Sequence, residues 1–361
     1  MQTLPKASLE LASIQQREET ALLNLPNVVG VGIGTKQKGE ADTGTPCITA
    51  LVSSKLPKSL LASTDLIPRC VGEKKTPTDV IDVGEIFAGG NYPNDAREKS
   101  IHDSPIANDD SSPFSSPLLL PEPGYNLGDQ QVTTTLTRRI RPAQGGFSCG
   151  HYRGTTTATI GTCCYDSLPS PSMPEKYYIL SNNHVLADLN DARVGDSIVQ
   201  PGPADGGVCP QDTIARLTRF IPIEFSTDSS KPLNYVDAAI AEGNLQDLNR
   251  EMYWGGHVKD LYTTPSIGDI LQKCGRTTGF TTGRVIAINT TLDVGYVGGK
   301  VARFTEQIVT TRMSMTGDSG SLVVNTDEHA VGLMCGSSNS VSVINNILYV
   351  QQLLQIRVHE K

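Results

Sequence analysis

Three short stretches carry residue types that could act together on an acyl group. In MTGDSGSLVV (315–324), Ser319 stands between glycines, where a tight turn can expose a hydroxyl and aim the backbone N–H groups of Gly317 and Ser319 at one spot. In YYILSNNHVLA (177–187), His184 follows an apolar run at the point where the chain turns polar, a place from which an imidazole can reach a cleft as a general base. In NYVDAAIAEG (234–243), Asp237 interrupts an otherwise apolar run. A lone carboxylate is costly there unless a group such as a histidine N–H receives its charge. Nucleophile, base, orienting acid and oxyanion donors are what acyl transfer through a covalent intermediate requires. Each stretch alone has a plainer explanation: a surface turn, a structural histidine, a capping aspartate. The order His, Asp, Ser, separated by 53 and then 82 residues, matches one of the orders in which such triads occur and raises the joint reading above its parts.

The elements that must position these residues read as strands. With 361 residues, 34 glycines, 22 prolines, 5% aromatic and 19% charged residues, the chain favours many short strands and turns over long helices. A helix is expected over 7–23, followed by strand-like runs at 28–34, 47–52 and 80–87, which together read as a small α+β unit over 1–88. Gly30, Gly32 and Gly34 lack the spacing of a dinucleotide loop and are expected to give a strand with a small-residue face. Residues 89–134 shift to Asn, Asp, Ser and Pro without periodicity and read as a linker. From 135 onward short strands and turns recur, as in 155–162, 177–181, 212–225, 236–241, 270–275, 281–296, 304–313, 321–324 and 329–336, a pattern of a barrel or sandwich. A closing helix is expected over about 346–356.

The net charge of −8 is spread without a basic block, which argues against nucleic acid and anionic membrane as partners. No run approaches the ~20 apolar residues of a spanning helix, and no signal-type run opens the chain. The eight cysteines lack CxxC spacing, so neither zinc nor a cofactor is expected, and reduced thiols in a cytoplasmic setting are. For the adjacent pair Cys163 and Cys164, strand alternation predicts one buried and one exposed side chain.

GDSGS, the Asn-His-Val segment, VDAAIA and CGRTTG (274–279) resemble the chymotrypsin-like serine peptidases. RPAQGGFSCGHYRGTTTATIGT, ILSNNHVLA, GDSIVQPGPADGG and MTGDSGS resemble more closely the bacterial intracellular trypsin-like proteins and their plant relatives of the NARROW LEAF type. The resemblance spans about 135–357, and 25–88 looks like the small domain that often precedes such peptidases. It implies a mainly β fold of two six-stranded antiparallel barrels with a C-terminal helix. The first, 135–245, would carry His184 and Asp237, and the second, 246–361, Ser319. It implies a serine endopeptidase acting on protein or peptide substrates, the alternative being a silent or self-processing scaffold. Val185 replaces the cysteine that secreted members carry after the histidine, and Ser321 replaces the glycine that commonly follows GDSG. At the position of the trypsin-type specificity aspartate stands Met313, which implies an uncharged primary pocket walled by Gly336 and Ser337. The superfamily also implies a cation for Asp318. The candidates are an internal side chain, Arg276 first and Lys273 next, or a new terminus at Ile140 released by cleavage after Arg139.

Overall fold

The computed structural model describes residues 6–39, 41–89, 135–167 and 176–359; the expected linker, apart from Gly89, lies outside them. The molecule is mainly β. Six strands close the second barrel: Ile270–Gly275, Gly279–Gly295, Val301–Thr311, Val341–Asn346, His329–Ser337 and Leu322–Asn325, the last pairing back to the first. The first barrel closes through Ser148–His151, Ser197–Val199, Thr213–Phe220, Ala239–Gly243 and Tyr177–Ser181. Its ring is completed by 158–166, whose first half pairs with Ser148–His151 and whose second half pairs with Tyr177–Ser181. Both are six-stranded and antiparallel, as the sequence leads one to expect.

The N-terminal unit is continuous with the second barrel. Gly279–Gly295 is 17 residues long, more than the barrel needs. Its far half pairs antiparallel with Val28–Lys38, Gly30 opposite Leu292 and Gly34 opposite Ala287. Ala41–Val52 and Thr76–Asp82 extend that sheet. The small-residue face is what permits this contact, since a Cβ at Gly32 would lie 2.4 Å from Thr290 Oγ1. The helix Lys6–Leu23 covers the extension with Ile14, Leu22 and Leu23 packed on Val31, Ile33, Ile48 and Val52.

A layer shared by the barrels fixes their docking. Tyr178, Leu180, Val236 and Ile240 of the first barrel meet Leu322, Val324 and Leu333 of the second, and the closing helix Ile347–Leu354 adds Ile347, Val350 and Leu354. Each such burial contributes about 1.5–3 kcal/mol. Asn346 caps this helix by accepting from the Leu348 N–H at 3.0 Å. The chain then crosses back, Ile356 pairing with Asp166 of the first barrel. The same layer corrects the expectation for the adjacent cysteines. Cys163 and Cys164 do point to opposite faces, but one face is the first-barrel core and the other is the inter-barrel layer, so both are buried.

Candidate active site

His184 sits on a one-turn helix, Asn183–Leu186, directly after the strand Tyr177–Ser181. That strand pairs with Ala239–Gly243 in a register placing Ser181 opposite Ala239. Two residues further along the same antiparallel register, Asp237 comes to face the histidine turn. His184 Nδ1 lies 2.5 Å from Asp237 Oδ2, and the His184 backbone N–H donates to Oδ1 at 3.1 Å. Both side chains are fully buried. Asn182 Nδ2 donates to the Asp237 carbonyl at 2.6 Å, and the Asp237 N–H donates to Asn345 Oδ1 at 2.9 Å. The Asp237 backbone is thus held from both barrels. An acceptor fixed on Nδ1 leaves Nε2 as the free basic nitrogen, and Nε2 is without a protein partner among the described residues.

Sequence reasoning missed two neighbours of Asp237. The Tyr296 hydroxyl donates to Oδ2 at 2.9 Å, and Cys335 Sγ stands 4.0 Å from the same oxygen. Burial first, and then the adjacent carboxylate, push both groups well above their ordinary pKa values, so both stay protonated donors. No linear motif marks either residue; Tyr296 is simply the residue after a long alternating strand. Tyr296→Phe is expected to lower kcat about ten-fold, near 1.4 kcal/mol, while KM changes less than two-fold, because the lost bond steadies the base rather than the substrate. Steady-state kinetics check this split, and equal falls in affinity and turnover would contradict it.

Ser319 lies in the turn between the strands Val301–Thr311 and Leu322–Asn325, with its Oγ donating to the Cys335 carbonyl at 3.4 Å. Cys335 therefore touches both groups, its carbonyl accepting from Ser319 and its thiol standing beside the Asp237 carboxylate. Gly317 adopts φ +97°, and a Cβ there would lie 2.3 Å from Thr277 Oγ1. The Thr316 carbonyl accepts from that Thr277 hydroxyl at 2.7 Å, so peptide planarity turns the Gly317 N–H the opposite way. Among the described residues neither that N–H nor the Ser319 N–H has a protein acceptor. Two donors left over in one turn are what an oxyanion hole would draw on.

Asp318, fully buried, is where the expected assignment needs correction. Arg276 does not reach it: the guanidinium forks onto Asp205, with Nε to Oδ2 at 2.7 Å and Nη2 to Oδ1 at 2.5 Å. The reason is local. The strand ends at Gly275, and Arg276 leaves it toward the first barrel. Lys273, inside the strand and on its inward face with Leu271, takes the role instead, with Nζ 3.2 Å from Asp318 Oδ2 and both side chains fully buried. The ammonium's other contacts are Thr278 Oγ1 at 2.5 Å and the Gly279 carbonyl at 3.1 Å. Asp318 also accepts from the N–H groups of Thr277, Thr278 and Met315 and from the Thr278 hydroxyl.

Of the remaining expected residues, Met313 is buried in the second-barrel core with Leu271, Val285 and Met334. Gly336 and Ser337 lie beside the chain's own Phe87. No group of three or more potential metal ligands occurs among the described residues, and no helix there is long and apolar enough to cross a membrane.

No family model matches the chain, and no curated protein matches it. Solved structures do. Thermobifida fusca protease A is 15% identical over 60% of this chain and 98% of its own, with a TM-score of 0.41. A Cellulomonas bogoriensis chymotrypsin is 18% identical over 59% and 96%, at 0.40. The Nocardiopsis protease NAPase is 18% identical over 60% and 98%, at 0.41.

Proposed function

We propose that this chain is a serine endopeptidase in which Ser319 attacks the peptide carbonyl, His184 takes and returns the proton, and Asp237 orients the imidazole. The observation that carries this reading is the buried His184–Asp237 pair, bonded at 2.5 Å with Nε2 unpartnered among the described residues, together with the unpartnered N–H groups of the Ser319 turn. A carboxylate buried to this degree costs desolvation, and that cost is best understood as serving a base held in one tautomer. Attack would place negative charge on the carbonyl oxygen, which the Gly317 and Ser319 N–H groups would receive. Collapse expels the amine as His184 protonates it, and water then repeats the sequence on the acyl-enzyme. A fluorophosphonate probe tests the reading: it should label the wild-type chain at Ser319 and leave Ser319→Ala unlabelled. A silent scaffold would take no label.

For specificity we propose an uncharged residue on the acyl side of the scissile bond, because Met313 offers no carboxylate to a substrate cation, and a buried cation without a partner is costly. In a peptide library, cleavage after apolar or small residues should exceed cleavage after Arg or Lys by about ten-fold or more. Cleavage confined to Arg and Lys would overturn this choice. All eight cysteines are free thiols, which supports a reducing, cytoplasmic setting for the enzyme.

A further inference from the structure

The strand His329–Ser337 runs to the reaction centre: the Cys335 carbonyl accepts from the Ser319 hydroxyl. An extended peptide brought to Ser319 would gain most from adding itself to this edge, exchanging backbone hydrogen bonds with Ser337. That edge is already taken. Phe87 pairs antiparallel with Ser337, its N–H donating to the Ser337 carbonyl at 3.0 Å and its carbonyl accepting from the Ser337 N–H at 2.9 Å. On its other side the segment is held by Gly295, whose N–H donates to the Ile86 carbonyl at 2.8 Å and whose carbonyl accepts from the Ala88 N–H at 2.9 Å. Ile86 and Ala88 point inward among Val294, Tyr296 and Cys335.

The direction of the segment matters as much as its contacts. Antiparallel to the strand, it runs from Ser337 toward Cys335, and its end meets the base: a Cβ on Gly89 would lie 3.0 Å from His184 Cδ2 and 3.6 Å from Nε2. Gly89 has φ +69°, so the chain leaves the extended path there. Gly89 accordingly makes no backbone bond with Cys335 of the kind Phe87 makes with Ser337. The segment therefore imitates a bound peptide up to the imidazole and then turns aside.

We propose that Ile86–Gly89 is a resident pseudosubstrate that occupies the peptide-docking edge of the cleft and holds back extended foreign peptides; its regulatory meaning rests on the hydrolase reading above. Small acylating agents, which need no strand edge, would be spared this competition, whereas an extended peptide must compete with the segment. Apparent affinity for such a peptide falls by the fraction of molecules in which the edge is free.

The test measures binding of an amino-terminally fluorescein-labelled Ile-Phe-Ala-Gly peptide by anisotropy, using the full chain carrying Ser319→Ala so that turnover cannot intervene. Phe87→Pro removes the N–H donated to Ser337 and is expected to tighten peptide binding by about ten-fold or more. Gly89→Val, strained at φ +69° and crowded against His184, should loosen the tip and move affinity the same way in the Ser319→Ala chain, and serves for the binding measurement if the proline variant fails to fold. Equal affinity with and without either substitution overturns the proposal. In parallel, fluorophosphonate labelling is followed in the Phe87→Pro variant with Ser319 intact, because Phe87 pairs with Gly295 and Ser337 while Gly89 is the residue at His184. Labelling at unchanged rate with tighter peptide binding supports both readings. Tighter binding without any labelling leaves the pseudosubstrate standing and removes the hydrolase.

Discussion

Ser319→Ala and His184→Ala should each reduce turnover of a casein-type substrate by about 10⁴-fold or more, and the double variant should be no worse than either alone. The non-additivity is the informative part. If Ser319 and His184 act as one unit, removing the second member after the first costs nothing further. Two residues contributing independently to substrate binding would instead multiply their losses. Asp237→Ala should fall less steeply, because the orienting group does not itself bond to substrate. All three variants should keep their affinity for peptide, since what they lose is chemistry. Turnover by Ser319→Ala at more than a trace, or its labelling at another serine, would sink the assignment.

What the sequence discloses and what it hides divide along contact range. Local patterns sufficed for the leading helix, for the closing helix that Asn346 caps, and for most strands of both barrels, because each is a periodicity within one segment; the short strands Ser148–His151 and Ser197–Val199, and Val341–Asn346 beside the closing helix, were not foreseen. The three candidate residues stood out because each lies in a short stretch whose composition departs from its surroundings. Tyr296 and Cys335 were not, for they meet Asp237 across 59 and 98 residues, and nothing in their own neighbourhoods announces it. The segment Ile86–Gly89 was hidden for the same reason: VIDVGEIF reads as a strand, but the partners of Phe87, Gly295 and Ser337, lie 208 and 250 residues on. Arg276 is a different kind of error. Arginine suits buried ion pairs through its fork, and that general preference drew attention to it. Yet alternation along Ile270–Gly275 sets Leu271 and Lys273 on the same face, so the register already favoured the lysine as the inward cation.

Lys273→Met is therefore the substitution expected to disable the Ser319 turn. It leaves Asp318 buried without a counter-charge, a change that costs about 3–5 kcal/mol. Asp318 also anchors the turn, by accepting from Met315, Thr277 and Thr278. When the carboxylate shifts toward solvent or a proton, the Gly317 N–H loses its set direction, and loss of one oxyanion donor lowers turnover by about 10²-fold or more. Arg276→Ala should behave otherwise. It breaks the fork to Asp205, a contact between the barrels, while the Lys273–Asp318 pair remains. Its thermal midpoint should therefore fall with activity largely kept. The double variant Lys273→Met with Asp318→Asn removes the uncompensated charge and should regain part of the stability of the single variant, though not all of it, since the new amide N–H₂ meets donors where an oxygen stood. This also bears on whether cleavage is needed. In the uncut chain the Ile140 N–H donates to Gln200 Oε1 at 2.9 Å, and the cation beside Asp318 is Lys273. Arg139→Gln should therefore leave activity unchanged. Mass spectrometry of the active wild-type protein should find the full chain. Activity that appears only after release of residues 1–139, or a Lys273→Met protein that folds and turns over at the wild-type rate, would show that the ammonium of a new terminus fills this role.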